Sequence, residues 1–136
     1  MQDIIFSSDK HFTMHDFHIS HSQLLIRAAE DTGNGFRNVD IIFMGVHYVQ
    51  LPPSFAGLTI RESSYEESTI LYPSVRKFLS YPSSHLFEVI TEGTSYYVAA
   101  GVCMVYENEL SLNESSVGPA NEKKRGRLIH SSAKMG

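Results

Sequence analysis

The most constraining stretch of this chain is Val98–Tyr106, nine residues with no charge and no amide in which both alternating faces are apolar. Val98, Ala100, Val102, Met104 and Tyr106 would share one face of a strand, with Tyr97, Ala99, Gly101, Cys103 and Val105 on the other. A strand of that kind is expected to be central and covered on both sides. Just upstream, Leu86–Thr91 alternates Leu86, Glu88 and Ile90 with Phe87, Val89 and Thr91. Glu92-Gly93-Thr94-Ser95 provides a short glycine-containing turn between the two runs. The sequence therefore predicts a hairpin over 86–106.

A second long strand is expected at Asn38–Leu51, interrupted by Gly45 and ended by Pro52-Pro53, since proline cannot donate to a ladder. Gly45 in such a run marks a bulge or a close backbone approach. A short strand over Leu58–Arg61 follows the Phe55-Ala56-Gly57 turn. Phe17–Ala29 fits either of two states. Ser20-His21-Ser22-Gln23 would cap a helix carrying Leu24, Leu25 and Ala28. The turn-rich Glu30–Gly35 that follows favours instead a strand pairing antiparallel with 38–51. The one helix expected lies within Tyr72–Tyr81, with Pro73 in its first turn and Pro82 as its stop.

These elements predict a mainly β fold, with an α+β arrangement as the alternative: an antiparallel sheet of two hairpins plus a short strand, with one short helix. They do not alternate strand with helix as a doubly wound nucleotide-binding fold does. A length of 136 residues, 42% of them hydrophobic and 11% aromatic, suits one ordinary globular domain. The single Cys103 excludes an internal disulfide framework. The longest mostly apolar run, Tyr96–Tyr106, falls short of the roughly 18–20 residues of a membrane-spanning helix. The N-terminal residues lack the basic and apolar regions of a secretory signal, which with the lone cysteine leads us to expect a cytoplasmic protein.

Charge divides unevenly. Residues 1–106 carry 6 Lys/Arg against 11 Asp/Glu, and residues 107–136 carry 5 against 4, giving −5 and +1 and restoring the net −4. Large apolar residues also thin out after Tyr106. The expectation is a globular β-rich domain over 1–107 and a flexible polar tail over 108–136 that buries too little to offset its ordering entropy.

Chemistry-bearing residues are few. His11, His15, His18 and His21 fall within eleven residues, and a zinc-type site would need such imidazoles to converge at about 2 Å from one ion. His15, His18 and His21 are the candidate ligands, but neither helical nor extended geometry assembles a site from this segment alone. His47, His85 or Asp16 would have to complete it. The alternative is ordinary surface or half-buried histidines. Cys103, mid-strand between Val102 and Met104, reads as an inert core thiol. Gly33-Asn34-Gly35 leads into a strand rather than a helix, so it reads as a hairpin turn and not a phosphate cradle. No cofactor is implied.

Two surfaces could contact partners. Ser63–Ser84 holds Tyr65, Tyr72 and Tyr81 among seven serines, a mixture that suits either a binding surface or a connector anchored by its tyrosines. Lys123–Arg127 is the only basic cluster. Nucleic acid is unexpected except through it, because the rest of the chain is acidic. The leading expectation is a small non-enzymatic module that binds a protein partner, of the immunity or antitoxin-inhibitor type. Two alternatives stand beside it. One is a metal-dependent or histidine-using enzyme built around His11–His21, and the other a homo-oligomer pairing exposed strand edges.

Overall fold

A computed structural model describes residues 4–63 and 84–133 of the chain. Among them, nine strands form one antiparallel sheet: β1 Ile4–His18, β2 Gln23–Asp31, β3 Phe36–Met44, β4 Tyr48–Gln50, β5 Ser54–Ser63, β6 His85–Thr91, β7 Thr94–Ala100, β8 Val102–Asn108 and β9 Arg127–Ser131. Their order is β4-β7-β6-β5-β1-β2-β3-β8-β9. The mainly β expectation is correct. No described segment forms a long helix, and none could cross a membrane as one. The helix expected within Tyr72–Tyr81, and the Tyr65, Tyr72 and Tyr81 surface, lie outside the described residues.

The order hides a closure. β3 and β4 are successive parts of one extended run, and so are β7 and β8. Because β3 pairs with β8 while β4 pairs with β7, the two ends of the series β7-β6-β5-β1-β2-β3 meet and the hydrogen-bonded strands form a ring. Closure removes most of the edge that would otherwise invite pairing with other chains. β9 pairs along the other edge of β8, with Ile129 packed against the core and His130 beside Phe6 of β1. Inside the ring, each of its strands except β4 contributes fully buried side chains to one core, with Phe12, Phe43, Phe55 and Phe87 the bulkiest. Phe43 and Phe87 meet edge to face with ring centroids 5.6 Å apart, the arrangement that aromatic quadrupoles favour.

The hairpin expected over 86–106 is present as β6 and β7, but the strand expected to continue through Tyr106 breaks at Gly101. There the Gly101 N–H donates to the Met44 carbonyl, while the His47 N–H donates to the Ala99 carbonyl, both at 2.8 Å. The break reverses the alternation. Val98 and Ala100 before it, and Cys103 and Val105 after it, all point into the same core. The opposite face of β7 is buried as well, with Tyr97 and Ala99 packing against Leu86 in a separate cluster, so this part of the run is central and covered on both sides as expected. The 38–51 strand divides in the same place, into β3 and β4, where Gly45 passes Gly101.

Phe17–Ala29 resolves in favour of the strand. β2 begins at Gln23 and pairs antiparallel with β3, while Phe17 and His18 end β1. The would-be capping box is a single 3-10 turn, Ile19–His21, leaving through Ser22 in the left-handed region. The short strand expected at Leu58–Arg61 is the middle of a longer one, β5.

The expected flexible tail is corrected. Residues 109–126 run back across the outer face of β2, β3 and β8 as a strap containing the 3-10 segment Pro119–Lys124. The chain then pairs with β8 as β9. Sparse in large apolar groups, the strap buries Ser116, Val117 and Arg125. Its attachment is polar, which a count of apolar residues does not register.

Candidate functional site

Alternation places the polar residues. Leu24, Ile26 and Ala28 of β2 and Val39, Ile41 and Phe43 of β3 face the core, so Leu25 and Arg27, with Asn38, Asp40 and Ile42, face outward. Register then sets Arg27 directly opposite Asp40, and Leu25 opposite Ile42. Val117 of the strap covers Leu25 and Ile42, forming a small second core with Met44 and Tyr106 packed against it.

Beside that cluster is a buried charge network. Arg27 Nε donates to Asp40 Oδ1 at 2.7 Å and Nη2 to Oδ2 at 2.9 Å, with side-chain exposures of 2% and 0%. Asp40 Oδ2 also accepts from Asn108 Nδ2 at 2.8 Å and Ser116 Oγ at 2.7 Å. A buried carboxylate is tolerated when its lone pairs are filled in this way. Arg27 Nη1 donates to the Glu114 carbonyl at 2.8 Å and stands 3.1 Å from His15 Nε2. The strap is tied further by Asn38 Nδ2 to the Leu110 carbonyl, by the Gly118 N–H to Gln23 Oε1, and by Arg125 Nε to the Ser116 carbonyl. Where it enters β9, Gly126 has φ +87°, and a Cβ there would lie 2.1 Å from the Glu107 carbonyl oxygen. Only glycine fits that crossing.

At the end of this network sits the β1–β2 turn. His18 Nδ1 and His21 Nδ1 are 3.3 Å apart, with Ser20 Oγ 3.3 Å from the first and 3.1 Å from the second. The His18 ring lies on Gly118 of the strap, so closely that a Cβ on Gly118 would come within 2.8 Å of His18 Cδ2. Flanking these rings, Phe17 is 42% and Ile19 82% exposed. The turn thus presents two imidazoles, a hydroxyl and two apolar side chains to solvent, braced from behind by the strap.

Of the candidate ligands, His18 and His21 come together and His15 does not, because its Nε2 faces the Arg27 guanidinium and the Glu114 carbonyl. His11 is exposed elsewhere on β1, and His85 pairs with Glu62 through Nδ1 at 3.1 Å. The convergence of three or more histidines or acids expected of a histidine-built enzyme site is not found among the described residues. Cys103 is buried, and burial, reinforced by the Glu62 carboxylate, pushes its thiol well above the ordinary range. The basic run is dispersed. Arg125 is buried in the strap and Arg127 pairs with Glu107, while Lys123 and Lys124 are exposed.

Arg27 and Asp40 escaped the sequence reading. Their signal was available: opposite charges interrupt two apolar strands at positions mirrored about the Glu30–Gly35 turn. Compared with protein families, curated proteins and solved structures, the chain has no match. The site therefore rests on its own geometry.

Proposed function

We propose that this chain is a small binding module that engages a protein partner through the β1–β2 turn. The observation that carries the reading is the exposure of Ile19 and Phe17 on a turn of fixed shape. An apolar side chain held out in water gains most by being covered, and a rigid turn loses little entropy when it is. The imidazoles and Ser20 beside these side chains supply hydrogen bonds that would orient the partner. A net charge of −4 disposes the module towards a basic surface. Function as an immunity or antitoxin-type inhibitor in the cytoplasm fits that description, since such a protein works by covering a partner's surface. The test is co-purification from the native source with parent and Ile19→Asp chains. A partner retained by the parent and lost by Ile19→Asp is expected, and a partner set indifferent to Ile19→Asp contradicts the reading.

Self-association has one observation in its favour. β9 ends the strand order and carries Leu128 at 49% exposure, so a second copy could pair along it. Light scattering on the eluting protein distinguishes the two readings: a concentration-independent 15.3 kDa species removes self-association.

A further inference from the structure

We propose that the β1–β2 turn binds a zinc-class divalent metal ion through His18 Nδ1 and His21 Nδ1. The argument is metric. Two nitrogens bound at roughly 2.0–2.1 Å to a tetrahedral ion stand about 3.3–3.4 Å apart. The two nitrogens here are separated by 3.3 Å, a spacing that one tetrahedral ion spans, and the choice of a zinc-class ion rests on the donor atoms. Imidazole is a preferred zinc ligand, whereas magnesium and calcium take oxygen.

The pair is also preorganised. His18 precedes and His21 ends a 3-10 turn of three residues, Ile19–His21, whose exit is closed by the Ser22 N–H donating to the Ile19 carbonyl at 3.2 Å. The His18 ring is held against Gly118, and Gly118 is itself tied to Gln23 by its N–H. Binding at both Nδ1 atoms requires each ring to carry its proton on Nε2, and this displaces the Nδ1 contact between the rings. Ser20 Oγ, within 3.3 Å of both nitrogens, is placed to hydrogen-bond a water completing the coordination. No third histidine, cysteine or carboxylate joins the pair among the described residues, so the remaining positions open to solvent. This inference does not rest on the proposed protein partner, although it uses the imidazoles of the same turn.

The test is calorimetric titration of the untagged chain with Zn2+, alongside visible absorption after Co2+ addition. One saturable zinc per chain is expected, with cobalt bands characteristic of tetrahedral coordination. Loss of an outer partner of a metal ligand already costs about 10–100-fold in affinity, so His21→Ala should cost at least that, as should His18→Ala. His11→Ala, on the same strand but outside the turn, should bind as the parent does. Thermal melts establish that each variant is folded. Should His18→Ala lose its fold, the exposed His21→Ala decides alone. No saturable zinc in the parent, or equal binding by parent and His21→Ala, overturns the proposal.

Discussion

The two faces of the β2–β3 hairpin are held down by opposite chemistries. The inner face meets the ring's core through the apolar side chains of Leu24, Ile26, Ile41 and Phe43. The outer face meets the strap through Arg27, Asp40 and Asn38, with Leu25 and Ile42, flanked by Met44 and Tyr106, supplying a small apolar floor. Apolar burial is non-directional and accumulates over area. A buried charge network is directional, and each member depends on the others. The inner face therefore specifies that the chain is compact. The outer face specifies where one segment lies, and through Gly118 where the His18 ring stands.

This contrast is easiest to break with single and paired substitutions. Asp40→Ala leaves the Arg27 guanidinium buried and unpaired and strips Ser116 and Asn108 of an acceptor. A loss of about 3–5 kcal/mol is expected in denaturant melts, a large part of the roughly 5–15 kcal/mol available to such a domain. Phe43→Ala in the core should cost a similar ~3–5 kcal/mol, through the cavity it leaves. The difference lies in rescue. Adding Arg27→Met to Asp40→Leu should bring stability back to within about 2 kcal/mol of the parent, because uncompensated charge rather than lost volume is the defect. A double variant as unstable as Asp40→Ala would show that the outer face is bonded more like the inner one.

Smaller effects sharpen the comparison. Val117→Ala removes two methyl groups from the strap's apolar contact and should cost about 1–2 kcal/mol by the same melts. Glu114 gives the smallest effect. Its carboxyl is held below the ordinary range by hydrogen bonds from the Ser111 backbone N–H and hydroxyl, with Lys124 and Arg27 adding attraction. A depressed carboxyl contributes stability above its unfolded value and loses it as pH falls through the folded one. NMR titration of the Glu114 side chain should therefore show a midpoint below that of an ordinary glutamate. In Ser111→Ala, which keeps only the backbone donor, the midpoint should move part of the way back.

What could be read in the sequence divides along the same line. Alternating apolar residues announced β3, β6 and β7, because each core-facing side chain contributes independently to the pattern. The turn at Glu92-Gly93 was equally plain. The central, two-sided burial of β7 was legible too, but the kink at Gly101 was not, since a two-sided apolar run reads as one uninterrupted strand whether or not it bends. The strap was illegible. Its anchors are one serine, one asparagine, backbone carbonyls and a buried arginine, each unremarkable alone and meaningful only once Arg27 and Asp40 are opposed by register. The histidine pair was half legible. Spacing brought His18 and His21 into view together with His15, but the Arg27 guanidinium that draws His15 away belongs to another strand.

The most direct test of this picture is amide hydrogen exchange at Gly118, whose N–H donates to Gln23 Oε1 at 2.8 Å. If residues 109–126 are a strap pinned by the Arg27–Asp40 network, this amide exchanges far more slowly than in an unstructured peptide. Asp40→Asn should then accelerate it while Ile41, in the core of β3, stays protected. Exchange at unstructured rates throughout 109–126 in the parent would contradict the account.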